Sequence, residues 1–200
     1  MFKIIAVTNR NLCKINFLDQ IENVAKAKPN HIILREKDLS EEDYYILASK
    51  VKAICQTYQV PCILHTYIDV ARKLEQTSIH LPLPLLIRKK HQLSDFQTIG
   101  VSVHSVEEAR LAEELGATYL TAGHIFETNC KKGVSPRGIS FLKDVIQHTN
   151  IPVYAIGGIH LENLTYIQNA GAHGACMMSE FMQENRTKDL QKDLHSLQKK

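Results

Sequence analysis

Short apolar or β-branched runs alternate with helical patterns along the whole chain, and this alternation limits the fold more than any other feature. The apolar runs lie at residues 2–7, 31–34, 62–65, 79–81, 99–102, 119–122, 153–156 and 174–177. Buried strands that alternate strictly with helices are typical of parallel sheets joined by right-handed crossovers. Eight such units predict a closed (β/α)8 barrel, or TIM barrel, in a single domain over residues 1–200. An open doubly wound sheet is the alternative if the strand count is off by two.

Local signals mark several helices and leave the fourth unit the weakest. Ser40 precedes three acidic residues and then apolar residues at helical spacing, which predicts a helix that begins after it. Ser105 and Glu108 have the spacing of a capping box at the start of another helix. Pro82 and Pro84 interrupt the fourth unit, where only about ten residues remain for a helix.

Composition argues against several kinds of partner. The chain has 200 residues, of which 44% are hydrophobic and 22% are charged, and its formal net charge is +3. The charge is mild, there is no tryptophan, and no basic stripe is interleaved with aromatic residues. These features argue against nucleic acid as a partner. Because no apolar run approaches the length of a membrane span, we expect no membrane partner either.

The cysteines and the N-terminus predict a cytoplasmic protein. The five cysteines are odd in number, scattered, and without C-x-x-C spacing, which is typical of chains in reducing compartments. Residues 1–7 are too short for the apolar part of a secretory signal and are predicted as a strand.

A histidine at the end of the sixth apolar run is the predicted catalytic group. His124 follows a glycine directly after that run, where a strand gives way to a loop. Imidazole titrates near neutral pH, so His124 is placed for proton transfer. Thr128, Cys130 and Lys131 follow in the same loop and are predicted to contact a phosphorylated ligand. The alternative is a solvated loop that carries a structural histidine.

Two further strand ends predict a phosphate site. Gly157 and Gly158 follow the seventh run, while Met178 and Ser179 follow the eighth. In barrels, the loops after these two strands commonly bind phosphate through backbone N–H groups. Glycine lacks the Cβ that would keep phosphate oxygens away, and a helix that begins nearby adds a favourable dipole. A tight turn with no ligand is the alternative for the glycine pair.

Side chains at two other strand ends complete the predicted site. Arg35 and Lys37 follow the second run, and residues two apart at a strand end share a face and can approach one anion. Glu36 is then expected to point the other way and to form structural pairs. Ser102 ends the fifth run and is predicted to hydrogen-bond either the ligand or the imidazole of His124.

Five motifs at matching strand ends resemble the thiamine phosphate synthase/TenI superfamily. They occupy residues 34–37, 100–105, 123–132, 156–159 and 178–179, and the resemblance runs from about residue 3 to residue 182. It implies the same (β/α)8 barrel that the alternation predicts.

The chain differs from the synthase pattern at the third and fourth strand ends. There a thiamine phosphate synthase has an Asn-Asp motif and a Gly-Gln-Glu-Asp motif, whose aspartates hold Mg²⁺ on a pyrophosphate. This chain instead has His65, Thr66 and the segment Pro-Leu-Pro-Leu at 82–85, which provide no carboxylate for Mg²⁺. A Gly-His pair also replaces a Gly-Pro pair at 123–124 and, with the following Cys-Lys-Lys, looks like the thiazole tautomerase branch.

The resemblance to that branch predicts an isomerase. It would aromatise a dihydrothiazole carboxylate phosphate through proton transfer by His124, with no cofactor and no metal. A phosphorylated thiazole is the expected partner, and a homodimer is left open. Two alternatives remain: a thiamine phosphate synthase that joins a pyrimidine pyrophosphate to a thiazole phosphate, and a non-catalytic regulatory protein that binds a phosphorylated ligand.

Overall fold

Eight parallel strands form a closed barrel in the computed structural model, which describes residues 1–128 and 133–183. The strands are β1 (Lys3–Val7), β2 (His31–Leu34), β3 (Cys62–His65), β4 (Ser78–Pro82), β5 (Thr98–Val103), β6 (Tyr119–Gly123), β7 (Val153–Ile156) and β8 (Gly174–Met177). They succeed one another around the barrel in chain order. The predicted (β/α)8 barrel is confirmed, and each predicted strand lies within two residues of an observed one.

Helices separate the strands, as the alternation predicts. They are α1 (Phe17–Lys26), α2 (Glu41–Thr57), α3 (Ile68–Lys73), α4 (Leu83–Lys89), α5 (Val106–Glu114), α6 (Gly138–Gln147), α7 (Leu164–Asn169) and α8 (Ser179–Met182). Ser40 and Ser105 cap α2 and α5 by accepting hydrogen bonds from backbone N–H groups of the first turn. The fourth helix forms because Pro84 lies in its first turn, where the missing N–H breaks no helical hydrogen bond. No helix in the described part of the chain is long and apolar enough to span a membrane.

The chain divides into two compact units. In its described part, the first comprises residues 3–76 and 177–183, with β1, β2 and β3 paired side by side. The second comprises residues 77–176, with consecutive parallel pairs from β4 to β8. Apolar strand residues form the core of each unit, for example Ile33 and Leu34 in the first and Val101 and Leu120 in the second. The extent of a single domain over residues 1–200 stays a prediction.

Candidate functional site

In the first unit, a buried carboxylate links the ends of β1 and β2. Glu36 is 3% exposed and accepts hydrogen bonds from the hydroxyl of Thr8 at 2.7 Å and from Nη1 of Arg10 at 3.1 Å. Arg10 also forms a bidentate ion pair with Asp38, and the hydrogen bonds to Asp38 and Glu36 raise the pKa of its guanidinium. The expectation that Glu36 forms structural pairs is therefore confirmed.

The predicted anion-binding residues of this unit lie at its strand ends. Arg35 and Lys37 flank Glu36, and the N–H of Arg35 donates to the hydroxyl of Thr8 at 2.9 Å. This bond fixes the backbone from which the Arg35 side chain starts. Met178 and Ser179 lie at the beginning of α8. Binding of a ligand by these four residues stays a prediction.

In the second unit, His124 is buried, and one of its ring nitrogens contacts a backbone carbonyl. It lies directly after β6 with 4% exposure, so it is not a solvated loop residue. Its Nε2 atom is 3.1 Å from the carbonyl oxygen of Val134. A carbonyl can only accept, so Nε2 donates to it, and in the neutral ring Nδ1 has the lone pair. Nδ1 is buried and has no hydrogen-bond partner among the described residues, which makes it a ready acceptor for a ligand donor.

The chain around His124 is held by its own backbone. The N–H of Arg137 donates to the carbonyl of His124 at 3.0 Å, and the N–H of Ile125 donates to the carbonyl of Ile156 at 3.0 Å. The Nδ1 atom of His104 is 2.7 Å from the carbonyl of Gly123 and donates to it. His104 is thus a positioning residue for the strand end that carries His124.

The glycine pair after β7 is needed for packing. Gly157 and Gly158 have φ angles of +97° and +66°, which favour glycine. A Cβ at Gly157 would lie 2.7 Å from Cα of His124, and one at Gly158 would lie 2.8 Å from the carbonyl carbon of Phe126. The pair therefore packs tightly against the loop after β6. Packing against this loop is thus one reason for glycine at both positions, and binding of phosphate by the pair stays a prediction.

The helix expected to begin near this turn begins several residues after the glycine pair. The next helical turn is a 3₁₀ helix at Leu161–Asn163, capped by His160, and α7 follows it. However, the N–H groups of Gly157 and Gly158 make no hydrogen bond within the described residues. Successive free N–H groups in a turn form a concavity that binds anions.

A buried polar cluster that the sequence did not reveal lies beside Ser102. His80 on β4 has Nε2 2.9 Å from the hydroxyl oxygen of Ser102 and Nδ1 2.9 Å from that of Tyr119. Thr121 donates to the same Ser102 oxygen at 3.2 Å. The expectation that Ser102 could bond the His124 imidazole is therefore corrected, since its imidazole partner is His80.

A glycine makes the contact between His80 and Tyr119 possible. His80, Gly100 and Tyr119 lie in one row across β4, β5 and β6. A Cβ at Gly100 would lie 2.5 Å from Nδ1 of His80, so a larger residue would separate the two rings. The feature of the sequence that could have indicated this cluster is His80 itself, which lies between two aliphatic residues of β4 and opposite a glycine on β5.

Three further predicted ligand contacts follow His124 in the sequence. Cys130 and Lys131 lie outside the described residues, while Thr128 is half-buried just before that gap. Their roles stay predictions.

Comparison with known proteins decides the family. The family model described as thiamine monophosphate synthase matches residues 4–181. The chain belongs to this family. The resemblance noted from the motifs is confirmed, and the barrel is the fold of a solved relative. A thiamine phosphate pyrophosphorylase from Pyrococcus furiosus superposes with a TM-score of 0.84 at 24% identity, over 99% of this chain and 96% of that one.

Relatives along the full length carry the same kind of name. The thiamine-phosphate synthase of Clostridium acetobutylicum is 34% identical over 203 residues, which cover 100% of this chain and 96% of the relative. Thiamine-phosphate synthase 2 of Streptococcus pneumoniae serotype 4 is 35% identical over 199 residues, which cover 96% and 94%. A synthase of this kind is a transferase, so the interpretation of the chain as a thiazole tautomerase, an isomerase, is wrong. That interpretation gave two missing carboxylate motifs and one histidine more weight than the similarity of the whole chain.

The Mg²⁺ site implied by the synthase resemblance does not fit the side chains present. The third strand ends at His65, whose Nδ1 is 2.5 Å from the hydroxyl of Thr66, and α4 begins directly after the fourth strand. Asp69 is paired with Arg72 on α3 at 3.2 Å. Within the described residues, no three His, Cys, Asp or Glu side chains cluster as metal ligands.

Proposed function

We propose that this protein is a thiamine-phosphate synthase, which joins a pyrimidine pyrophosphate to a thiazole phosphate. The thiazole nitrogen forms a bond to the methylene carbon of the pyrimidine, and the bond from that carbon to the diphosphate oxygen breaks. The observation that carries the proposal is the full-length similarity to relatives named as thiamine-phosphate synthases, at 34% and 35% identity.

The turn after β7 supports binding of a phosphate group. The N–H groups of Gly157 and Gly158 are unused within the described residues, and Gly157 packs against the Cα and Cβ atoms of His124. An anion in such a turn gains several N–H hydrogen bonds without having to reorganise the chain. Either phosphorylated substrate has the charge that this turn favours.

His124 supports recognition of the heterocycle. Its Nδ1 lone pair is buried and without a partner among the described residues, so a ligand donor there would remove the cost of an unmade hydrogen bond. We assign His124 to orienting the substrate, because the coupling reaction needs two heterocycles held in line more than it needs an acid or base.

The departing diphosphate is an anion and needs cations beside it. The described part of the chain has no cluster of carboxylates that would hold Mg²⁺ for this purpose. Arg35 and Lys37 are the side chains to which we assign this role, with Lys131 as a further candidate outside the described residues. Arginine binds phosphate oxygens through two parallel N–H donors, which suits a leaving diphosphate.

Growth of a thiamine auxotroph that lacks its own synthase tests the proposal. The gene should restore growth without thiamine, and His124→Gln should restore it poorly. His148→Gln is the matched control, since His148 is an exposed residue that ends α6 and bonds a backbone carbonyl. Failure of the wild-type gene at normal protein levels, with the purified protein still binding thiazole phosphate, would favour the non-catalytic alternative and contradict the proposal.

A further inference from the structure

The hydrogen bonds that link Tyr119, His80 and Ser102 have donors and acceptors that follow from the surroundings of Tyr119. Tyr119 is 7% exposed, and burial raises the pKa of its phenol well above the ordinary value, so its hydroxyl keeps the proton. Within the described residues, the partner of this hydroxyl is Nδ1 of His80. If Nδ1 carried a proton, the buried O–H of Tyr119 would have no acceptor there, at the cost of an unmade hydrogen bond.

The phenol therefore donates to Nδ1, and the proton of the neutral imidazole lies on Nε2. From there it is donated to the oxygen of Ser102 at 2.9 Å, with the hydroxyl of Thr121 at the longer distance of 3.4 Å. Thr121 donates its own proton to the same Ser102 oxygen. A serine oxygen has two lone pairs, and two donors now occupy both.

We infer that His80 and Tyr119 are positioning residues, which fix the predicted ligand contact Ser102 as a hydrogen-bond donor to the substrate. The hydroxyl hydrogen of Ser102 is left to find an acceptor, and Ser102 is half-buried at the end of β5. The ligand group it suits is an acceptor without a proton of its own, such as a ring nitrogen or a phosphate oxygen. This inference rests on the proposed function for the identity of that ligand.

Neighbouring residues keep this arrangement in place. Gly100 leaves the space in which His80 and Tyr119 meet, and the ring of Tyr154 packs edge-on against Tyr119 at 5.6 Å between centroids. The phenol of Tyr119 thus has little freedom to turn to another partner. Packing as well as hydrogen bonding therefore decides which group donates to which in this row of side chains.

The first arm of the test is nuclear magnetic resonance of ¹⁵N-histidine-labelled wild-type protein. The signals of His80 are assigned by their loss in His80→Gln. The inference predicts a neutral ring with the proton on Nε2 and an unprotonated Nδ1. A ring protonated on Nδ1 alone, or on both nitrogens at neutral pH, would overturn it. This arm needs no turnover, so its failure is distinct from failure of the proposed synthase activity.

The second arm measures kcat/KM for the coupling reaction. Ser102→Ala and Tyr119→Phe should each lower it by roughly 3- to 10-fold, the effect of one hydrogen bond, and the double variant should match Ser102→Ala alone. Tyr154→Phe, which removes a hydroxyl from the adjacent ring, should leave kcat/KM unchanged. Losses that multiply in the double variant would show that Tyr119 acts independently of Ser102, and they would overturn the inference.

Discussion

Replacement of Gly157 by alanine separates two reasons why a glycine is needed after β7. The φ angle of Gly157 is +97°, and a side chain in that conformation costs about 1–3 kcal/mol. The new Cβ would also lie 2.7 Å from Cα of His124, and overpacking of this kind costs about 1–3 kcal/mol more. We therefore expect Gly157→Ala to lower the free energy of unfolding by about 2–6 kcal/mol.

A matched control isolates the packing contribution. Gly171 has a φ angle of +86°, but a Cβ there would have nothing within 4 Å. Gly171→Ala should thus show the backbone cost alone, about 1–3 kcal/mol. The assay is urea unfolding of both variants, compared through the midpoint and slope. Equal losses in the two variants would refute the idea that packing against His124 requires glycine at position 157.

Two further predictions concern the first unit. Glu36→Gln should lower the free energy of unfolding, measured in urea, by about 1.5–3 kcal/mol, because it removes the charged acceptor for Arg10. Asp38→Asn, at the exposed carboxylate that also pairs with Arg10, should change this free energy little. Similar losses in the two variants would contradict the burial argument. Burial raises the pKa of the Cys13 thiol to about 11 from an ordinary value of 9.0, so maleimide labelling of Cys13, followed by mass spectrometry of its peptide, should be slow at pH 8 and accelerate towards pH 11. Since the folded state favours the protonated thiol, the contribution of Cys13 to stability is present below pH 9.0 and is lost as the pH rises to about 11. Rapid labelling of the folded protein at pH 8 would show that Cys13 is not shielded.

The fold could be predicted because buried strands and helices require apolar residues at regular positions in the sequence. Strands buried on both faces read as short apolar runs, and serine caps such as Ser40 and Ser105 mark where helices begin. Even the doubtful fourth unit forms a helix, because proline is tolerated in a first turn.

The site could be predicted only in outline. Strand-end positions predicted His124, Ser102 and the glycine pair as site residues, since the carboxyl ends of parallel strands meet on one side of a barrel. The partners of those groups could not be predicted. Val134 lies ten residues after His124 in the sequence, and His80 reaches Ser102 across the row of strands that contains Gly100.

The reaction was predicted wrongly for an identifiable reason. Thr66 and the end of β4 provide no carboxylate ligand, but this difference does not decide which reaction takes place. His124 was taken as the acid–base group of an isomerase, whereas its Nε2 is bonded to a backbone carbonyl. Similarity over the full chain, at 34% and 35% identity, carries more information about the reaction than those local differences.

Formation of thiamine phosphate by the purified protein tests the central claim most directly. The protein is incubated with the pyrimidine pyrophosphate and thiazole phosphate, and the product is followed by oxidation to fluorescent thiochrome, with and without added Mg²⁺. We predict product formation that is saturable in both substrates and is lowered strongly by Arg35→Ala. No product at any Mg²⁺ concentration, from protein that is folded and binds thiazole phosphate, would contradict the assignment as a synthase.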